Sequence, residues 1–242
     1  GCGMSEAPGR PKQARTAGEA EGTPMSLTPG LSRRGLLLAA AGAPAALAWP
    51  RAAWAGAQIE EPLIDSARTA LSAAIHNTAP PVPEFNDTES RLRYLRWLGA
   101  MGDRIRRKVP DRQERIELLQ TIWYEARRSG LEVSMVLGLI QVESNFRKFA
   151  VSSAGARGLM QVMPFWTRVI GDGDAGKLFH MQTNLRFGCV ILRHYLDRER
   201  GDLFMTLGRY NGSRGRAPYP NAVFANQRSY AFDDKAPTAI AG

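Results

Sequence analysis

Cysteine is nearly absent from this 242-residue chain, which holds only Cys2 and Cys189. Two cysteines exclude a disulfide framework, and no zinc-finger spacing occurs. Cys189 lies among Phe187, Val190 and Ile191 and reads as a buried, inert thiol. A long apolar run is missing as well. The Ala- and Leu-rich stretch near the N-terminus is interrupted by Gly42, Pro44, Pro50 and Arg51, well short of the roughly 20 residues that span a bilayer, which argues against a membrane anchor there. There is no internal repeat, and strand-like alternation is hard to find. The interleaving of aromatic and basic residues that marks single-strand nucleic-acid binders is also absent, as is every other nucleic-acid motif. The formal charge of +9 therefore suits another anionic partner, and both membrane surfaces and cell-wall polymers carrying carboxylates and phosphates qualify, the sign of the charge not choosing between them.

What is present begins with an address. Residues 1–31 are rich in Gly, Pro, Ala, Thr and Ser and have no apolar period, a composition that stays disordered. The chain does not begin with Met, and Met4 and Met25 are candidate starts. Ser32-Arg33-Arg34-Gly35-Leu36-Leu37-Leu38 then leads into the apolar run, which ends at Ala53-Trp54-Ala55. An Arg pair, an apolar run and a small-x-small cleavage site resemble a twin-arginine export signal, with cleavage expected near Gly56 and the periplasm as destination. No Cys closes the run, so no lipid anchor is expected and the mature protein should be soluble.

The hydrophobic content of 44% is enough for one main core. Residues 56–87 read as a linker or N-terminal appendage with one amphipathic stretch, Leu63 to Ile75. Residues 88–230 read as a mainly α domain, and 231–242 as a disordered tail. Leu92, Tyr94, Leu95, Trp97, Leu98 and Met101 recur at helical spacing from Thr88 to Pro110. Asp111 caps a helix stopped by Gly130, and another follows from Val133 to Phe146. Pro164 opens a short helix ending near Gly171. Thr183 is the expected cap of a long helix, and Asp202 that of a shorter one reaching Tyr210. At most a small irregular β-hairpin is expected within residues 150–163.

Val136, Leu139, Ile140 and Glu143 fall at i, i+3, i+4 and i+7, which sets a carboxylate on or beside the apolar stripe. Burial would favour its neutral form and raise its pKa, as a general acid requires. The bland alternative is a helix-end residue paired with Arg147 at i+4. Downstream, Ser152-Ser153-Ala154-Gly155-Ala156-Arg157-Gly158 supplies small residues that let a ligand approach the backbone. It runs into Leu159-Met160-Gln161-Val162-Met163-Pro164, which offers an amide and adaptable apolar walls.

Glu143-Ser144-x-Phe146, Ala150-x-Ser152, Gly155-Ala156-x-Gly158-Leu159-Met160-Gln161-x-Met163-Pro164 and Tyr210-Asn211-Gly212 together resemble the soluble lytic transglycosylase family of the goose-type lysozyme group, over residues 115–225. The resemblance implies a lysozyme-like helical domain that cleaves the β-1,4 bond between N-acetylmuramic acid and N-acetylglucosamine and leaves a 1,6-anhydro end. It implies no metal and no cofactor. Glu143 becomes the catalytic acid and later the base, while Ser152, Gln161, Met163, Tyr210 and Asn211 line the sugar groove. Where the family often has Ala before Tyr-Asn, this chain has Arg209, expected to face water, with contact to an anionic peptide stem as the alternative.

Most glycosidases use two carboxylates. Asp172 and Asp174 sit in a Gly-rich run and are read as turn residues, which moves the expected reaction from hydrolysis toward anhydro formation. A hydrolytic muramidase of the same fold and a non-catalytic wall-binding protein stay open as alternatives. The expected partner is the peptidoglycan glycan strand, with no nucleic acid. The protein is expected to be a monomer, and residues 56–87 could dock a cell-wall or secretion-machinery protein.

Overall fold

The computed structural model describes residues 58–63, 65–76 and 83–234. The leader and its cleavage site lie outside the described residues. Among those residues the regular structure is helical: α1 Asp65–His76, α2 Thr88–Ile105, α3 Arg112–Arg128, α4 Val133–Glu143, α5 Phe165–Ile170, a 3-10 turn Ala175–Phe179, α6 Met181–Arg198, α7 Leu203–Tyr210 and α8 Pro218–Ser229. The mainly α expectation holds. The only β pairing among them is a pair of isolated bridges, Val151 with Arg157 and Arg157 with Val162.

Helix starts follow side-chain chemistry. Asp87, Asp111 and Asp202 each accept a backbone N–H three residues on, from Ser90, Glu114 and Met205 at 2.7, 2.7 and 3.0 Å, satisfying donors that the first helical turn leaves orphaned. Gly130 ends the α3 region at φ 63°, where a Cβ would be penalised. Two boundaries differ from expectation. Thr183 lies inside α6, which begins at Met181 after an extended His180, because the 3-10 turn before it already delivers the chain to the helix. Helix α4 stops at Glu143 rather than Phe146, since Asn145 and Phe146 turn into the left-handed region at φ 49° and 64°.

α4 is the centre of the core. Met135, Val136, Leu137, Leu139 and Ile140 are all buried, so this helix is apolar nearly all round, as a helix enclosed by others must be. Its main partner is α8, an element with no strong signal in the sequence. Gly138 makes the approach possible: a Cβ there would stand 2.7 Å from Gln227 N and 2.9 Å from Val223 O. The two helices run antiparallel, with Gln227 Nε2 bonded to Glu132 at one end (2.8 Å) and Tyr219 to Glu143 at the other.

α1 is tied to the body by a buried ionic cluster. Glu125 accepts from Arg186 at 3.0 Å and pairs with Arg128 at 2.9 Å. The same arginines donate to the carbonyls of Ala74 and Ile75 at the end of α1. Removing Glu125 would leave Arg186 an uncompensated buried charge, a loss on the order of 3–5 kcal/mol.

Candidate active site

Glu143 is the last residue of α4 and 4% exposed. The alternative pairing with Arg147 does not form: Arg147 instead donates to the Ser144 carbonyl at 3.1 Å. The Tyr219 O–H donates to Glu143 Oε1 at 2.5 Å, and Oε2 is buried with no hydrogen-bond partner among the described residues. Burial drives the Glu143 carboxyl up to about 8, against a smaller lowering by the Tyr219 bond. The same burial and the adjacent carboxyl push the Tyr219 hydroxyl well above its usual value, so it stays a neutral donor.

The glycine-rich loop is stitched to this helix end and to α7. Ser144 Oγ donates to the Leu159 carbonyl at 2.7 Å, and Tyr210 O–H to the Met160 carbonyl at 2.8 Å. Asn184 on α6 clamps the loop from behind, accepting from Met160 N and donating to the carbonyls of Arg157 and Leu178, all at 2.8 Å. Gly158, at φ 76°, lies so close that a Cβ would meet Asn184 Nδ2 at 2.3 Å. Asn145, Phe146 and Gln161 all sit at positive φ without being glycine. Left-handed residues of this bulk are costly and concentrate where the surroundings hold a functional geometry.

The sequence-derived groove residues divide by what their polar atoms do. Gln161 is buried, and its Nε2 donates to the carbonyls of Ala150 at 3.1 Å and Gly158 at 2.9 Å. Tyr210 is fully buried, with burial and the charge of Glu143 raising its hydroxyl well above the usual value. Ser152 is half-buried, and its Oγ accepts from Ala156 N at 3.1 Å. Met163 is half-buried. Asn211 is buried and donates to Ser213 Oγ at 3.0 Å, and its Oδ1 has no partner among the described residues.

Asp172 and Asp174 accept from Asp174 N and Gly176 N at 3.1 and 2.8 Å, the turn role that their Gly-rich run implied. Arg209 does not face water. It bonds Glu61 and Glu199, both at 2.6 Å, with 15% of its side chain exposed, because two carboxylates converge there. Among the described residues, no group of three or more His, Cys, Asp or Glu is arranged to hold a metal ion.

Two contributors escaped the sequence reading. Tyr219 belongs to α8, and nothing local links it to Glu143, 76 residues away. Gln58, only 4% exposed, accepts from Met163 N at 3.2 Å and donates to the Gln161 carbonyl at 3.5 Å. It comes from the segment read as linker, and a lone Gln beside a cleavage site carries no signal.

A helical domain whose central helix ends on a buried, protonatable carboxyl beside a strained, small-residue loop can hold and release a proton near neutral pH. Residues 120–230 match the family model described as the transglycosylase SLT domain. The chain is 32% identical over 114 residues to a protein named transglycosylase from Enterobacteria phage PRD1, covering 44% of this chain and 42% of that one. It is 54% identical over 123 residues to the membrane-bound lytic murein transglycosylase C of Haemophilus ducreyi, covering 45% of this chain and 33% of that protein. The chain thus spans less than half the length of these relatives. Among solved structures, an inactive mutant of the lytic transglycosylase Slt from Pseudomonas aeruginosa matches with a TM-score of 0.36 and 23% identity, over 46% of this chain and 21% of that one.

Proposed function

We propose that this protein is a peptidoglycan lytic transglycosylase with Glu143 as its single catalytic acid and base. The observation that carries the reading is the buried Glu143 carboxyl, raised to about 8 and bonded on one oxygen only. With Tyr219 occupying Oε1, the proton resides on Oε2, the oxygen with no partner among the described residues. That O–H protonates the glycosidic oxygen as the bond to the muramic C1 breaks. Positive charge at C1 is stabilised by the sugar's own acetamido group, which removes the need for a second carboxylate. The Glu143 carboxylate then takes the proton of the C6 hydroxyl, whose oxygen bonds to C1 and closes the 1,6-anhydro ring. Both reacting groups belong to one sugar, so the attack is intramolecular and has a high effective concentration.

Ser152, Met163 and Asn211 line the groove in this reading, with the free Asn211 Oδ1 available to a sugar N–H or O–H. Gln161 and Tyr210 shape it through their backbone contacts. Export through the twin-arginine route to the periplasm completes the proposal, supported by Arg33-Arg34 and by relatives whose names place them at membranes and on murein. Among the described residues no helix is long and apolar enough to cross a membrane.

Digestion of purified peptidoglycan with product masses tests the reaction. Anhydromuramyl products are expected. Reducing ends alone would replace this reading with a hydrolytic muramidase, and no cleavage at all with a wall-binding protein.

A further inference from the structure

The chain segment immediately after Glu143 lines a second feature, a cleft of about 560 Å³ bounded by Lys108, Phe146, Arg147, Lys148, Phe149 and Val151. It shares Ala150 with the glycine-rich loop: the Ala150 carbonyl accepts from Gln161 Nε2 at 3.1 Å and from Gly158 N at 2.9 Å. Whatever occupies the cleft therefore lies against the same loop as the Glu143 site.

Its chemistry is cationic and aromatic in alternation. Lys108 Nζ stands 5.5 Å from the centre of the Phe146 ring and Lys148 Nζ 5.5 Å from that of Phe149, while outside the cleft lining the Arg157 guanidinium lies 5.5 Å from the centre of the Phe179 ring. The Phe149 and Phe179 rings in turn are 6.2 Å apart. Among the described residues no carboxylate forms an ion pair with Lys108, Arg147 or Lys148, although elsewhere on the molecule arginines are paired repeatedly. Glu114 lines the same cleft without pairing with them. Partial burial pulls the Lys108 amine below its usual value, the mark of a cation with no counter-ion to offset lost hydration. Phe149 and Val151 are 72% and 61% exposed, so apolar area stands in water without contributing to the core. Clustered exposure of that kind marks a contact surface.

We propose that this cleft binds the carboxylate-bearing peptide side chains of the substrate, alongside the glycan held at Glu143. This rests on the peptidoglycan reading above. The sugars of that polymer are uncharged apart from their peptide-bearing arms, so they give three unpaired cations nothing to neutralise. The peptide side chains carry free carboxylates spaced by alanine methyl groups, and both halves of that pattern have counterparts here. The cations meet the carboxylates, and the rings of Phe149 and Phe146 meet the methyls. Phosphate-rich wall polymers and nucleic acids would use the charge but leave the exposed aliphatic Val151 and the ring edges without a partner.

The test uses the full chain carrying Glu143→Gln, so that ligand survives, and compares two probes by calorimetry. One is solubilised glycan with its peptides, and the other is the same glycan stripped by an amidase. The peptide-bearing glycan is expected to bind roughly fivefold to thirtyfold more tightly, the sum of two or three partly exposed charge contacts. The advantage should shrink as salt rises from low to about 0.5 M. In the double variants with Arg147→Glu and Lys148→Glu, or with Phe149→Ala alone as the gentler change, the ratio should fall toward one, with circular dichroism confirming the fold. Equal affinity for the two probes in the starting protein overturns the proposal. So does a ratio untouched by all the substitutions, or stronger competition by polyphosphate than by free peptide. Cleavage of peptide-bearing glycan by the unmutated protein is read separately. If it fails, the lytic reading falls, whereas normal cleavage with no preference over stripped glycan removes only the cleft assignment.

Discussion

Glu143→Gln is predicted to make the protein more stable while abolishing its activity, and the gain should depend on pH in a defined way. Glutamine keeps the volume and can still accept the Tyr219 hydrogen bond at Oε1, but it cannot ionise. The Glu143 carboxyl is raised from 4.5 to about 8 in the folded protein, so between those values the folded state binds a proton that the unfolded state has released. Stability conferred by the neutral carboxyl is complete at low pH and is lost as pH rises, with the loss saturating above about 8. At about 1.36 kcal/mol per unit of displacement, the penalty is near zero at pH 4, about 2 kcal/mol at pH 6 and about 4 kcal/mol at pH 8. The glutamine variant escapes it. Urea unfolding of both proteins at these three pH values should give curves that converge at pH 4 and separate progressively toward pH 8. Parallel curves, or a variant less stable at pH 8, would refute the claim that this carboxyl is buried and held neutral.

Tyr219→Phe removes the hydroxyl that lowers the Glu143 pKa. The alkaline limb of kcat/KM, set by loss of the Glu143 proton, should move to higher pH, and kcat should fall about tenfold or more, read from a pH series of turbidity assays. Gly138→Ala forces a Cβ to within 2.7 Å of the α8 backbone. It should cost about 1–3 kcal/mol in thermal unfolding, with activity reduced beyond what stability explains because Tyr219 retreats from Glu143. Gln58→Ala cuts two hydrogen bonds to the Gln161 and Met163 backbone. A loss of about 1–3 kcal/mol is expected in chemical denaturation, together with a kcat decrease that Gln58→Glu does not rescue, since both an acceptor and a donor are used.

The parts of this molecule that were legible in the sequence are those whose causes are local. Asp111 and Asp202 announce helix starts because an aspartate oxygen satisfies nearby orphan N–H groups, and both do so. The i, i+3, i+4, i+7 stripe on α4 marked Glu143 as a carboxylate among apolar side chains, and it is buried there. What escaped depends on contacts between distant segments. Helix α8 has little amphipathic character of its own and packs closely on α4 where Gly138 leaves room for its backbone, so Tyr219 had no local signature. Arg209 looked like a surface residue because its partners, Glu61 and Glu199, come from separate segments. The end of α4 was misplaced because left-handed Asn145 and Phe146 defy local preference and are held by the surrounding packing.

The central claim is that one carboxyl, Glu143, converts peptidoglycan strands to anhydro-ended fragments. Mass spectrometry of a peptidoglycan digest, run with the unmutated protein and the Glu143→Gln variant side by side, tests it directly. The account predicts muropeptides lighter by one water than their hydrolysed counterparts from the unmutated protein, and at least about a hundredfold less product from the variant. Undiminished product from the variant, or only reducing-end fragments from either protein, would contradict it.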